Sequence, residues 1–195
     1  MYDIDVSLKG YEVFAMETDR LRLSVYKKSR AKQVTDYLVR NREFHRRWAQ
    51  THTDDYFSVY TQKNYLNEDL KEYRAGRLVP LWVTLKDDPD TVIGRVSFFN
   101  LAYGGMMSCA LGYHQDKETC GHGYMTEAVS ESVKMVMKYL RLHRVEAFIL
   151  PDNEKSIALI KRCGFEDEGY RKSYMHINGS WKDHRSFYIL DESFL

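Results

Sequence analysis

The sequence predicts a single α/β domain built on a mixed sheet. Three observations carry this. Strand-like and helix-like patterns alternate along the chain with no linker, internal repeat or low-complexity run. An apolar strand, Cys109 to Tyr113, passes through a polar loop into Gly121-His122-Gly123 and then straight into a long amphipathic helix. Near the C-terminus, Asn178-Gly179 parts two strand-like runs and suits a tight hairpin turn.

The whole-chain numbers bound what the domain can be. A chain of 195 residues can bury one sizeable core. Hydrophobic residues make up 44% and aromatics 14%, which excludes a disordered chain and suits an aromatic-lined cleft. Lys plus Arg number 29 against 28 Asp plus Glu, so a net charge of +1 gives no support for direct nucleic-acid binding. Cys109, Cys120 and Cys163 are odd in number and widely spaced, which argues against a disulfide framework and against a zinc or other metal site. Free thiols and an N-terminus with no apolar signal-length run point to a cytoplasmic protein. No window approaches the roughly 18 apolar residues of a membrane span.

The elements follow in order. Residues 1–16 read as an N-terminal extension, with Tyr11, Val13 and Phe14 as a short edge strand or a surface segment. Arg20 to Val25 alternates polar and apolar and reads as a half-buried strand. Ser29 suits an N-cap for a helix carrying Ala31, Val34, Tyr37 and Leu38. Asn41 to Trp48, basic and aromatic, reads as a short second helix. It either packs Phe44 and Trp48 inward or forms one wall of a substrate cleft. Thr51 to Ser58 is a loop, and Thr61 to Ala75 is a helix closed by Gly76. Val79–Leu85 and Thr91–Phe99 form a hairpin across Asp87-Asp88-Pro89-Asp90. Gly104-Gly105 turns the chain into the strand that ends at Tyr113. Met125, Val129, Val133, Val136 and Leu140 make one apolar helix face. Arg144–Leu150 is a strand, which must lie parallel to the one before the helix, with a right-handed crossover. Pro151-Asp152-Asn153 ends it and starts a helix through Ile157, Leu159 and Ile160, which Gly164 ends. Tyr170–Ile177 and Ser186–Leu190 flank the Asn178-Gly179 turn.

The candidate site is the strand–Gly-x-Gly–helix junction. The first N–H groups of a helix lack partners, the dipole is positive there, and glycine lets a ligand approach the backbone. A phosphate-bearing ligand fits; a plain glycine-rich connection with no ligand remains the alternative.

Further motifs resemble the GNAT superfamily of acetyl-CoA-dependent N-acetyltransferases, RimJ/RimL-type branch. The cofactor loop Q/R-x-x-G-x-G/A is matched by Glu118-Thr119-Cys120-Gly121-His122-Gly123, with Glu118 departing at the first position. The continuation is Gly123-Tyr124-Met125-Thr126-Glu127-Ala128. A second motif is Asn153-Glu154-Lys155-Ser156 followed by Gly164-Phe165, and a third is Thr18-Asp19-Arg20-Leu21-Arg22-Leu23. Asn41-Arg42-Glu43, Val96–Asn100, Glu166–Tyr170 and His176–His184 resemble RimJ-type enzymes most closely.

The resemblance implies a GNAT domain over residues 17–195. Its sheet is mixed but mostly antiparallel, with helices on both faces and a splay at the strand pair flanking acetyl-CoA. It implies that Cys120, Gly121, His122, Gly123, Tyr124, Met125 and Thr126 surround the pyrophosphate, largely through backbone N–H groups. Tyr113, His114 and Gln115 would lie along the pantetheine arm, and Asn153 would contact coenzyme A as well as cap its helix. His122 is either a phosphate partner or an exposed loop residue. Ser156 is the candidate catalytic group, stabilising the leaving thiolate, with a plain first-turn hydroxyl as the alternative. The tyrosine acid and glutamate of RimI-type relatives are replaced by Ile160 and Phe148, which leaves the base unassigned among Tyr113, Glu168 and His176. Cys163 reads as core, and direct transfer is favoured over an acyl-enzyme.

The expected activity is acetylation of a primary amine, foremost the N-terminal alanine or serine α-amine of a ribosomal protein. A polyamine or antibiotic N-acetyltransferase, or a non-catalytic coenzyme A-binding module, are the alternatives. The implied partners are a protein N-terminus or a small amine, with no nucleic acid and no membrane, in a monomer or homodimer.

Overall fold

The computed structural model describes residues 14–191 and 193. Tyr11 and Val13 lie outside the described residues. Eight strands form one open sheet. In spatial order they are β1 (Ala15–Glu17), β2 (Leu21–Ser24), β3 (Val79–Leu85), β4 (Val92–Ala102), β5 (Ser108–Gln115), β6 (Arg144–Ile149), β8 (Ser180–Leu190) and β7 (Glu166–Ile177). Every neighbouring pair is antiparallel except β5–β6. That parallel pair is joined through α3 (Tyr124–Leu140), the crossover that the apolar face predicted.

Helices cover both faces. The buried strand residues sort by parity, because successive side chains point to opposite sides. Leu81 and Val83 of β3 join Val129, Val133 and Val136 of α3, together with Ile157 and Ile160 of α4 (Glu154–Arg162). Trp82 instead joins Val34, Tyr37 and Leu38 of α1 (Ala31–His45) and Leu66 of α2 (Val59–Arg74). A strand covered on both sides must be apolar throughout, which explains V-P-L-W-V-T-L. Phe98, fully buried, alone contributes about 2–3 kcal/mol of apolar burial.

The region after β2 differs from expectation. Ser29 does not cap a helix; it sits inside a 3₁₀ turn, Lys28–Arg30, and α1 starts behind Arg30 with no side-chain cap. Asn41–His45 is not a separate helix but the end of α1. No glycine or proline breaks the chain there, and Asn41 continues the buried stripe of Val34, Tyr37 and Leu38. Residues 46–48 form a turn, where Arg47 stacks over Trp48. Within the expected loop, Asp54–Phe57 is a 3₁₀ turn, and Ser58 caps α2 by accepting from the Thr61 N–H at 3.1 Å.

Two features set the site's position. A Cβ at Gly94 of β4 would lie 2.5 Å from the flexible end of Met125 in the first turn of α3 and 2.9 Å from the His114 carbonyl, so a side chain there would crowd the β5 backbone. Asn178 and Gly179 take φ 49° and 82°, the left-handed pair of a two-residue hairpin turn, and Ile177 pairs with Ser180.

Candidate active site

The loop between β5 and α3 is tied down by one carboxylate. Asp116, 2% exposed, follows the last residue of β5. Its N–H donates to the Ile93 carbonyl at 2.8 Å. Its Oδ1 accepts from the Glu118 N–H at 2.9 Å, and its Oδ2 accepts from Arg40 Nε and from Asn41 Nδ2, the latter at 3.1 Å. Asn41, fully buried, also accepts from the Lys117 N–H at 2.9 Å. A polar residue on a buried helix stripe is thereby satisfied on both its amide atoms. The Cys120 thiol donates to the Asp116 carbonyl at 3.5 Å.

Beyond this anchor the backbone is open. Gly121, His122 and Gly123 are exposed; Gly121 has φ 88°, and Gly123 caps α3 at φ 77° with no side-chain hydrogen bond. The first-turn N–H groups of α3 therefore face solvent with the helix dipole behind them. The fit to an anionic ligand rests on this uncapped, glycine-framed terminus. The His122 ring stacks on Tyr124 at 5.7 Å. The Met125 side chain is 3% exposed and belongs to the core, so only its backbone borders the loop.

A second strap holds the same terminus from the opposite side. Glu127, in the first turn of α3, accepts from Thr18 Oγ1 at 2.5 Å, from the Arg20 N–H at 3.0 Å and from Arg20 Nε at 2.7 Å. Arg20 Nη1 donates to the His122 carbonyl at 3.0 Å, and its guanidinium lies 4.6 Å over the Tyr124 ring. Burial alone would raise the Glu127 carboxyl, but the hydrogen bonds from Thr18 and Arg20 outweigh it and hold the group below the usual carboxylate range.

Below the loop the sheet splits. β5 and β6 pair from Ser108↔Arg144 to Leu111↔Ala147 and no further. Gly112 to Gln115 continue against β4 alone, and Phe148 and Ile149 continue against β8 alone. The β5 edge facing the split carries main-chain groups free to pair with an extended ligand. On the α4 side the Tyr113 hydroxyl lies 2.7 Å from Ser156 Oγ and donates to the Ser156 carbonyl at 3.1 Å. Burial raises the Tyr113 phenol well above its ordinary range, against a small opposing effect of the Ser156 hydrogen bond, so Tyr113 stays protonated. Asn153 caps α4 by accepting from the Ser156 N–H at 3.2 Å.

His114 points to the other face. Its Nδ1 is 2.6 Å from the Tyr37 hydroxyl, and its ring meets His45, whose Nε2 is 2.8 Å from the Gln115 carbonyl. Burial, then the nearby His45 and Arg95 charges, push His114 well below its usual value; burial also lowers His45. A histidine held neutral in the fold and charged when unfolded makes the unfolded state bind more protons below about pH 6.5. This stability is complete above that pH and is lost as pH falls toward the depressed native pKa. The thermal midpoint is expected to fall between about pH 7.5 and about pH 5.5, and to fall less in His114→Gln, as scanning calorimetry would read. An identical pH dependence in both proteins would remove His114 from this account.

The β7–β8 turn and the approach to α4 are held by one segment. Asn178, in the β7–β8 turn, accepts from the Thr51 N–H at 2.9 Å and donates to the Arg46 carbonyl at 3.1 Å. Arg47 pairs with Asp152 at 2.8 Å, just before α4. Segment 46–51 thus braces both the hairpin and the start of α4.

The structure brings together the loop residues 120–126, Tyr113, Asn153 and Ser156 around one split. Of the two other base candidates, Glu168 accepts from Arg144 Nη2 at 2.5 Å, and His176 lies edge-on to Trp181 and lines an open pocket with Gln50, Thr51, Asn178 and Gly179. Cys163 donates to the Thr126 carbonyl at 3.6 Å. Arg40, Asn41 and Asp116, and likewise Thr18, Arg20 and Glu127, act here through contacts that sequence pattern does not reveal. Thr18, Arg20, Asn41 and Glu127 do lie within family motifs; Asp116 carries no signal beyond its place at a strand end.

Comparison with known proteins agrees with this arrangement. The family model described as acetyltransferase (GNAT) domain matches residues 20–166. The chain is 32% identical over 173 residues to the [ribosomal protein uS5]-alanine N-acetyltransferase of Escherichia coli K12, covering 87% of each. The solved ribosomal-protein-S5-alanine acetyltransferase of Vibrio fischeri superposes with a TM-score of 0.86 at 28% identity, over 93% of this chain and 98% of that one. Mycobacterium smegmatis RimJ, solved in complex with CoA-disulfide, superposes with a TM-score of 0.83 at 25% identity, over 89% and 83%. With its open mixed sheet, its Gly-x-Gly helix mouth and these relatives, the chain belongs to the GNAT family and is an N-acetyltransferase.

Proposed function

We propose that the chain moves an acetyl group from acetyl-CoA to the α-amine of a protein N-terminus beginning with alanine or serine, ribosomal protein foremost. The observation that carries the acceptor class is the 32% identity, over 87% of both chains, to an enzyme named for a ribosomal-protein alanine. GNAT enzymes use acetyl-CoA, and a neighbour was solved with a coenzyme A species. Backbone N–H groups from Gly121 to Thr126 receive the pyrophosphate, with Cys120, His122 and Tyr124 around them. The free β5 edge at Tyr113, His114 and Gln115 receives the pantetheine arm, and Asn153 borders it from α4.

In the reaction a C–N bond forms, the thioester C–S bond breaks, the attacking nitrogen gives up one proton, and the leaving thiolate gains one. Tyr113 and Ser156 form a hydroxyl pair at 2.7 Å in which either oxygen can donate, and this pair supplies the proton to the thiolate. An α-amine with a pKa of about 7.7–8.0 is partly neutral near pH 7.5, so the demand for a strong base is small.

The test is thiol release from acetyl-CoA with peptides beginning Ala or Ser, beside a polyamine and an aminoglycoside. Peptide turnover is expected, and Ser156→Ala or Tyr113→Phe should lower kcat by about tenfold or more with little change in the KM for acetyl-CoA. Turnover on the small amines alone would move the acceptor to that class. Tight acetyl-CoA binding with no turnover on any amine would leave a coenzyme A-binding module.

A further inference from the structure

We infer that Arg20 is a phosphate-binding residue for coenzyme A, held in place by Glu127. This rests on reading Gly121–Thr126 as the coenzyme A site. Arg20 lies on the approach to β2, far in sequence from that loop, yet the fold fastens it at the helix mouth through three points: Nε on Glu127, Nη1 on the His122 carbonyl, and the guanidinium plane on Tyr124. Among the described residues Nη2 has no hydrogen-bond partner, and it lies 3.5 Å from where a Cβ on Gly123 would be. A half-exposed arginine pinned on one side presents its remaining N–H groups on the other, in the planar geometry suited to phosphate oxygens.

The local charges make the same point. Lys117 and Glu118 in the loop cancel, and Arg40 is taken by Asp116. Glu127 by itself would set a carboxylate in the first turn of α3, opposing a bound phosphate. Arg20 neutralises that carboxylate and leaves donor capacity over. Glu127 is therefore a positioning residue and Arg20 the binding one. Coenzyme A carries two phosphate sources, the pyrophosphate and the ribose 3′-phosphate, and both chemistries suit the guanidinium.

Calorimetric titration of the full chain with coenzyme A and with 3′-dephospho-coenzyme A tests the inference. Arg20→Gln is expected to raise the coenzyme A Kd by about tenfold or more, and the KM for acetyl-CoA in step, with kcat within about twofold. A contact to the 3′-phosphate predicts that the wild-type advantage vanishes with the dephospho ligand; a contact to the pyrophosphate predicts that it persists. A merely structural role would instead lower kcat and the thermal midpoint at an unchanged Kd, and that result overturns the inference. A second measurement needs no variant. Phenylglyoxal modification of Arg20 in the wild-type protein, read by peptide mass spectrometry, should slow when coenzyme A is present. Unchanged modification while titration records binding also overturns it. Failure of the wild-type chain to bind coenzyme A at all would sink the site reading itself, a distinguishable result.

Discussion

Replacing Gly121 by glutamate is expected to raise the Kd for coenzyme A by about 100-fold or more while the domain stays folded. Two effects act together. Gly121 has φ 88°, a conformation that costs an L-residue roughly 1–2 kcal/mol. The new carboxylate would also stand where the phosphates are proposed to bind, at the positive end of α3. Chain neighbours aside, no heavy atom of the described residues lies within 4 Å of a Cβ built at Gly121, so the substitution starts from open space and the loss should fall on the ligand rather than the core. Gly121→Ala carries the backbone cost alone and separates the two effects; about tenfold weakening or less is expected from it. Titration calorimetry with coenzyme A reads both variants. An unchanged Kd in Gly121→Glu would overturn the placement of the phosphate site.

Asp116→Ala is expected to destabilise the domain by about 3 kcal/mol, a fall in thermal midpoint of roughly 6–12 °C. The substitution takes one of two acceptors from Arg40, which keeps the Val92 carbonyl, and one of two from the buried Asn41 Nδ2, which keeps the Tyr37 carbonyl, and it leaves the Glu118 N–H without its acceptor. Arg40 is partly exposed and can recover some hydration, which keeps the cost from rising further. Because the same carboxylate holds the start of the loop, coenzyme A binding should weaken at temperatures where the variant is still folded. Asp116→Asn keeps an acceptor oxygen and should fall between the two. A midpoint within about a degree of wild type would show that Arg40 and Asn41 re-pair without Asp116.

Both variants bear on parts of the site that differ in how far they could be read ahead. The Gly-x-Gly turn, the apolar stripe of α3 and the Asn178-Gly179 hairpin were legible because each is a local rule: glycines at a strand–helix junction, a 3.6-residue period, a two-residue turn. The break placed before Asn41 was not legible. A switch in residue chemistry marked it, but no glycine or proline stands there, and α1 runs on to His45. Asn41 looked like the first residue of a polar segment; it is a buried amide whose partners, Asp116 and Lys117, come from the loop after β5. Ser156 stood in a motif and Tyr113 on the strand expected along the pantetheine arm, yet nothing in the sequence paired them; the fold brings their hydroxyls to 2.7 Å.

The sequence by itself determined that this is one α/β domain of the GNAT type, with a strand, a Gly-x-Gly turn and a helix mouth whose free N–H groups suit an anion. Those features depend on residues near one another in the chain, so their signal is periodic or contiguous. The tertiary structure alone decided what holds that mouth open. Arg20 reaches Glu127 across 107 residues, Asn41 reaches Asp116 across 75, and Tyr113 reaches Ser156 across 43. A pairing between distant positions leaves no period in the sequence. It is set by which strands become neighbours, and the burial of apolar faces on both sides of the sheet decides that order.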